Sequence, residues 1–163
     1  MLEDVLDVTL EMHAWDTWVV SADEVVLEIA ARRGARTLPE ERSGLATAIR
    51  QAEAVAGREL VQAMAVLPGD LPLLTSPALT AALRTLGPVV VARSSREGTS
   101  LLLRRPPKAI PARFGPDSFA KHLALADARG LPAAVVDRPE LSFDLVEEGG
   151  RKLARTLRLV TFE

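Results

Sequence analysis

Apolar residues in this chain change period repeatedly, and each change marks an element. Leu2, Val5, Leu6, Thr9 and Leu10 recur at helical spacing. The run TWVVS at 17–21 is short and apolar, as a buried strand is. Helical spacing returns over 23–33, where Val25, Val26, Ile29 and Ala30 share the inward face and Gly34 stands where a helix stops. A short strand is expected at 35–38, and Ser43 opens a helix that runs through Ile49 and Val55 to Gly57. VQAMAVL at 61–67 runs straight into Pro68-Gly69, the pattern of a buried parallel strand that ends abruptly in a turn. A helix over 77–86 carries Pro in its first turn and is closed by Gly87-Pro88, and a strand follows at 89–93.

Strand and helix alternate to this point, which predicts an α/β fold: a mostly parallel sheet with helices on both faces. After Arg93 the rhythm changes. SSREGTS is a polar turn, and LLLRR is a strand antiparallel to the one before it. RRPPKAIPARFGP holds four prolines in thirteen residues and reads as a packed loop. A helix is predicted over 118–129, with short strands at 133–136 and 141–144. From Glu147 onward Leu153, Leu157 and Val160 fall at loosely helical spacing, interrupted by Gly149-Gly150.

A chain of 163 residues fits one domain, 1–163, with a core that needs no covalent staples. Cysteine is absent, so disulfides and thiolate metal sites are excluded, in keeping with a cytoplasmic protein. The net charge is −2 with the two signs interspersed, unlike the basic stripe of a nucleic-acid binder. No apolar run is long enough to cross a bilayer, and the acidic, amphipathic MLEDVLDVTL is not a signal peptide.

Four stretches can carry chemistry. Asp70 lies just past the carboxyl end of the 61–67 strand, where open α/β sheets bind ligands. A carboxylate held there can bind a hard cation, although Gly-Asp ahead of Pro72 is also ordinary turn chemistry. In RFGPDSF, Gly115 permits unusual backbone, Pro116 suits a first helical turn, and Ser118 lies where free N–H groups and the helix dipole attract anions. Arg113 adds charge; the plainer alternative is a helix start capped by Asp117 or Ser118. Gly98-Thr99-Ser100 can offer an N–H and a hydroxyl to an oxyanion, or can be a simple hairpin turn. Asp144 ends its predicted strand as Asp70 ends its own, so the two could share divalent cations. His13 and His122 have no triad or zinc-site partners in sequence and read as surface or structural residues, and Trp15 and Trp18 as core.

Taken together and in this order, LPGDLPLLT, GTSLLL, RFGPDSFAKH and PELSFD resemble the guanylyltransferases of coenzyme F-420 biosynthesis, which act on 2-phospho-L-lactate or phosphoenolpyruvate. The resemblance extends over almost the whole chain, from MLEDVL onward. It implies a single nucleotidyltransferase domain of the GT-A type that transfers GMP from GTP to the phosphate of the three-carbon acid and releases pyrophosphate. It implies Asp70 and Asp144 as catalytic, magnesium-binding aspartates, and Thr99, Gly115 and Ser118 as the residues that hold the phosphorylated acid. The implied cofactor is Mg2+, and the implied partners are GTP and the acid, with no nucleic acid and no membrane.

The chain also departs from that family's pattern. The family begins with a strand and a lysine-containing loop for the GTP phosphates, and here MLEDVL stands where the family's first helix is finishing. The family usually has Asn after Gly-Leu near the nucleotide, whereas Gly44-Leu45 is followed by Ala46. It often has Asp near the position of Arg93, and a second acidic residue where Val146 stands. These departures predict an N-terminally incomplete domain with two central strands left unpaired, and hence marginal stability, self-association and poor GTP binding. They also leave open a non-catalytic relative that binds a phosphorylated small acid or a protein partner.

Overall fold

The computed structural model describes residues 2–142 and, for the backbone, Leu157–Phe162. Its strands are β1 (Trp15–Ser21), β2 (Arg36–Pro39), β3 (Ala63–Pro68), β4 (Val89–Arg93), β5 (Thr99–Arg104), β6 (Ala133–Val136) and β7 (Leu157–Phe162). Its helices are α1 (Leu2–Leu10), α2 (Glu24–Arg32), α3 (Leu45–Arg58), α4 (Ser76–Arg84), α5 (Ser118–Ala128) and α6 (Pro139–Ser142). The strands join in one sheet of order β2-β1-β7-β3-β5-β4-β6. β1, β2, β3, β4 and β6 run one way; β5 and β7 run the other and are inserted among them. The sheet is therefore mostly parallel in strand direction, yet most hydrogen-bonded neighbours are antiparallel.

Side-chain parity divides the core into two layers. Ala63, Ala65 and Leu67 of β3 and Leu101 and Leu103 of β5 pack with Val5 of α1, Leu79 and Leu83 of α4, and Leu141 of α6. The intervening Met64 and Val66 meet Ala48, Ile49 and Ala52 of α3, together with Trp18 and Val20 of β1. Leu102, Val89 and Val91 meet Phe119 and Ala126 of α5. Val19 of β1 closes the first layer against Leu6 and Ala30 of α1 and α2. Leu67 and Leu103 are fully buried, so truncating either to Ala should cost about 2–5 kcal/mol. Trp18 is core as expected, with the Arg36 guanidinium 4.7 Å from its ring centre, and Trp15 is half-buried against the first layer.

Two expectations need correction. The predicted strand at 141–144 is instead the short helix α6 as far as Ser142, and Phe143 and Asp144 lie outside the described residues. Pro139 presets helical φ, and the Ser142 hydroxyl donates to the Arg138 carbonyl at 3.0 Å. The turn is anchored by one fully buried side chain, Leu141, where alternation would need two. Secondly, β1 and β3 are not left unpaired. β7 lies between them, in register from Trp15↔Phe162 to Val20↔Leu157 on one side and from Ala63↔Phe162 to Pro68↔Leu157 on the other. Backbone groups in an apolar slot demand partners, and LRLVTF, with its Val, Thr and Phe, suits a strand better than its helical spacing suggested.

Candidate functional site

The predicted acid-binding residues gather at one edge of the sheet. β3 and β4 end there at Pro68 and Arg93, and the antiparallel β5 begins there at Thr99, opposite Arg93. Asp70 follows β3 by two residues and is half-buried between the buried Gly69 and Leu71. In the turn between β4 and β5 the Ser94 N–H donates to the Gly98 carbonyl at 2.9 Å. A Cβ placed on Gly98 would stand 2.8 Å from the Ser94 Oγ and 3.7 Å from the Ser118 Oγ, so glycine is what lets the turn close against α5. The Phe119 N–H donates to the Glu97 carbonyl at 3.3 Å and ties the two together. The Ser95 N–H donates to the Ser142 carbonyl at 2.6 Å, which brings the end of α6 to the same edge.

The entry to α5 is not an ordinary capped start. Gly115 has φ +125°, a conformation that side chains resist, and Asp117 at the N-cap has φ 56° with no capping hydrogen bond from its side chain. Ser118 is 1% exposed, and among the described residues its Oγ has no hydrogen-bond partner. Leaving a buried hydroxyl unsatisfied costs about 1–3 kcal/mol, so this one is a standing invitation to an outside acceptor. It sits in the first turn of an eleven-residue helix, where the dipole favours an anion.

His122 is not a surface residue. It is fully buried, and its Nδ1 lies 2.8 Å from the Thr99 Oγ1. The Arg113 backbone N–H donates to its Nε2 at 2.9 Å. Phe114 meets the ring edge-on with centroids 5.2 Å apart. Burial, and then the nearby Arg104 guanidinium, push the imidazole down to about 4, so it is neutral at physiological pH. His122 thus joins Thr99 to the Arg113-Phe114-Gly115 segment. Its position four residues after Ser118, on the same helical face, was the available signal. His13 is exposed, as expected.

Two hollows lie beside the Arg113-Phe114 segment. One, of about 550 Å³, is lined by Arg113, Phe114, Lys121, Ala124 and Leu125. The other, of about 100 Å³, lies between Leu45, Ala46 and Ile49 of α3 and the segment Ala112, Arg113 and Phe114. Ala46 therefore faces the RFG segment across a narrow crevice. α3 begins at Leu45, two residues later than the sequence pattern suggested, because Gly44 at φ +124° caps it.

Among the described residues no three acidic or histidine side chains cluster as a metal site. Asp70 supplies one carboxylate at the edge just described, and Asp144, its expected companion, lies outside the described residues. A magnesium ion held by one or two carboxylates together with substrate phosphates fits that donor set. No helix among the described residues is long and apolar enough to cross a membrane.

Known proteins include several relatives of this chain. A phosphoenolpyruvate guanylyltransferase of Rubrobacter xylanophilus is 41% identical over 131 residues, 78% of this chain and 64% of the relative. The chain thus spans a little under two thirds of that relative's length. A 3-phospho-D-glycerate guanylyltransferase of Phenylobacterium zucineum is 39% identical over 153 residues, covering 89% of this chain and 70% of the relative. A 2-phospho-L-lactate guanylyltransferase of Methanothermobacter thermautotrophicus is 36% identical over 148 residues, covering 89% and 65%. A solved structure from Desulfovibrio desulfuricans, described as a nucleotide-diphospho-sugar transferase, superimposes with a TM-score of 0.69 at 13% identity, over 88% of this chain and 66% of that one. At that identity the likeness bears on fold alone, and it is the expected GT-A-like architecture. The family model described as "Guanylyl transferase CofC like" matches residues 1–151, and the chain belongs to that family.

Proposed function

We propose that this chain forms the acid-binding and much of the catalytic part of a guanylyltransferase. In this reading an oxygen of the acid's phosphate attacks the α-phosphorus of GTP. The bond from that phosphorus to the bridging oxygen breaks, and pyrophosphate leaves. The acceptor is a phosphorylated three-carbon acid, a class to which all the acids in the relatives' names belong. Phosphoenolpyruvate is the first choice, and the pathway is the coenzyme F-420 synthesis that the sequence resemblance implies. The carrying observation is the buried Ser118 hydroxyl, unpartnered among the described residues and set against the Gly98-Thr99 turn at the start of α5. Thr99, Ser118 and the first turn of α5 would hold the acid, with the Gly115 backbone shaping the entrance. Asp70, with Asp144, would bind magnesium, which offsets charge on the triphosphate.

The test is calorimetric titration of the chain with phosphoenolpyruvate, 3-phosphoglycerate and 2-phospholactate in turn. Phosphorus NMR then follows pyrophosphate release in the presence of GTP and magnesium. Binding of at least one acid and acid-dependent release of pyrophosphate are expected; failure of all three to bind overturns the reading. Acid binding without turnover would favour a non-catalytic relative, to which Ala46, at the crevice where the family usually has Asn, gives some support.

A further inference from the structure

We propose that His122 is a positioning residue, which fixes the Thr99 hydroxyl as a hydrogen-bond donor aimed away from the protein and toward the acid. The inference rests on the reading above, that Thr99 contacts a phosphorylated acid.

The argument is one of proton placement. The Arg113 N–H can only donate, so the His122 Nε2 that receives it at 2.9 Å carries no proton. In a neutral imidazole the proton is then on Nδ1. Nδ1 lies 2.8 Å from the Thr99 Oγ1 and must be the donor there. The hydroxyl accepts from histidine, and its own hydrogen is left for another partner. Among the described residues His122 is the only side-chain hydrogen-bond partner of that hydroxyl, and Thr99 is only 8% exposed. With His122 donating into one of its lone pairs, the Thr99 hydroxyl keeps its hydrogen free to donate, which suits an anion. Burial and the Arg104 charge keep the ring neutral and so preserve the polarity of this relay. The same ring anchors the backbone at Arg113, so the turn at Thr99 and the segment leading to Gly115 are set by one side chain.

Nitrogen-15 NMR of the full wild-type chain reads the tautomer directly. A neutral ring with the proton on Nδ1 is expected; a proton on Nε2 overturns the proposal. Phosphoenolpyruvate titrations of variants supply the functional arm. Thr99→Val should weaken binding about tenfold or more, the range for a hydrogen bond to a charged group, whereas Thr99→Ser should largely retain it. His122→Leu should weaken binding to a similar extent. His122→Asn, which can still present an N–H near the Nδ1 position, should recover part of the loss. In the Thr99→Val background His122→Leu should add little further loss. Wild-type binding that is unchanged in His122→Leu overturns the role of His122 alone. If His122→Asn is no better than His122→Leu at equal melting temperature, the ring is only structural. Absence of phosphoenolpyruvate, 3-phosphoglycerate and 2-phospholactate binding to the wild type overturns the functional reading, and this inference with it.

Discussion

Glu53 of α3 meets the fully buried guanidinium of Arg104 of β5 at 2.6 Å, across the layer that backs the site. Arg104 also donates to the Ile110 carbonyl at 3.1 Å, and its Nε has no partner among the described residues. Burial holds the guanidinium below its usual range, against the pull of Glu53. The ion pair therefore offsets a large desolvation cost. Glu53→Ala should destabilise the fold by about 3–5 kcal/mol, because it leaves a buried charge alone. Replacing both partners, Glu53→Leu with Arg104→Met, should restore most of that loss. Urea unfolding of the three variants checks the order.

Ser118→Ala should act in opposite directions on stability and on binding. Removing a buried hydroxyl that has no partner among the described residues should raise stability by about 1 kcal/mol. The same change should weaken phosphoenolpyruvate binding by about 1–3 kcal/mol. Thermal melts and calorimetry on one preparation give both values, and a loss of stability would mean that the hydroxyl has a partner in the protein.

Gly98→Ala should weaken acid binding by pushing the turn away from α5, since the new methyl would stand 2.8 Å from the Ser94 Oγ. Ser94→Ala removes that atom. The double variant should therefore bind better than Gly98→Ala alone, a sign that ordinary turn destabilisation does not produce.

His122 gives stability a defined pH dependence. Its folded value is about 4, below the ordinary 6.5, so the unfolded chain takes up the proton first. The contribution is fully present above pH 6.5 and falls away as the pH drops from there toward 4, by about 3 kcal/mol in all. His122→Asn should flatten that part of the profile. Denaturation midpoints of the two proteins between pH 4 and 7 make the comparison, and parallel profiles would show that the ring titrates normally.

Asp70→Asn should leave acid binding intact and abolish magnesium-dependent pyrophosphate release, because it removes a charged ligand from the carboxyl end of β3. Turnover near the wild-type rate at the same magnesium concentration would remove Asp70 from the metal site.

The α/β alternation up to Arg93 was legible because Gly or Pro marks most helix ends and most strands are short apolar runs. Asp70, Thr99, Gly115 and Ser118 became candidates through the order of their motifs, and the structure brings Thr99 and Ser118 to one edge. His122 was not, because its role depends on an N–H donated from Arg113, a contact that no spacing encodes. Arg104 was hidden for a similar reason: LLLRR reads only as a strand, while the fold covers its end with α3 and the proline-rich loop around Ile110. Strand β7 escaped because a six-residue segment with both polar and apolar positions satisfies two periods at once. Only the vacancy between β1 and β3 decides between them.

That central place for β7 has a consequence for synthesis. A ribosome releases β1 and β2, and then β3 through β6, well before residue 162 is made. Until then the nascent chain holds two partial sheets whose inner edges have nothing to pair with. Closure must wait for a segment some 90 residues beyond β3, a long-range pairing of the kind that makes folding slow. The sheet is therefore completed only once the strand furthest along the chain has been made, after the other six. A stalled or prematurely terminated chain would present two bare strand edges to chaperones and to other copies of itself.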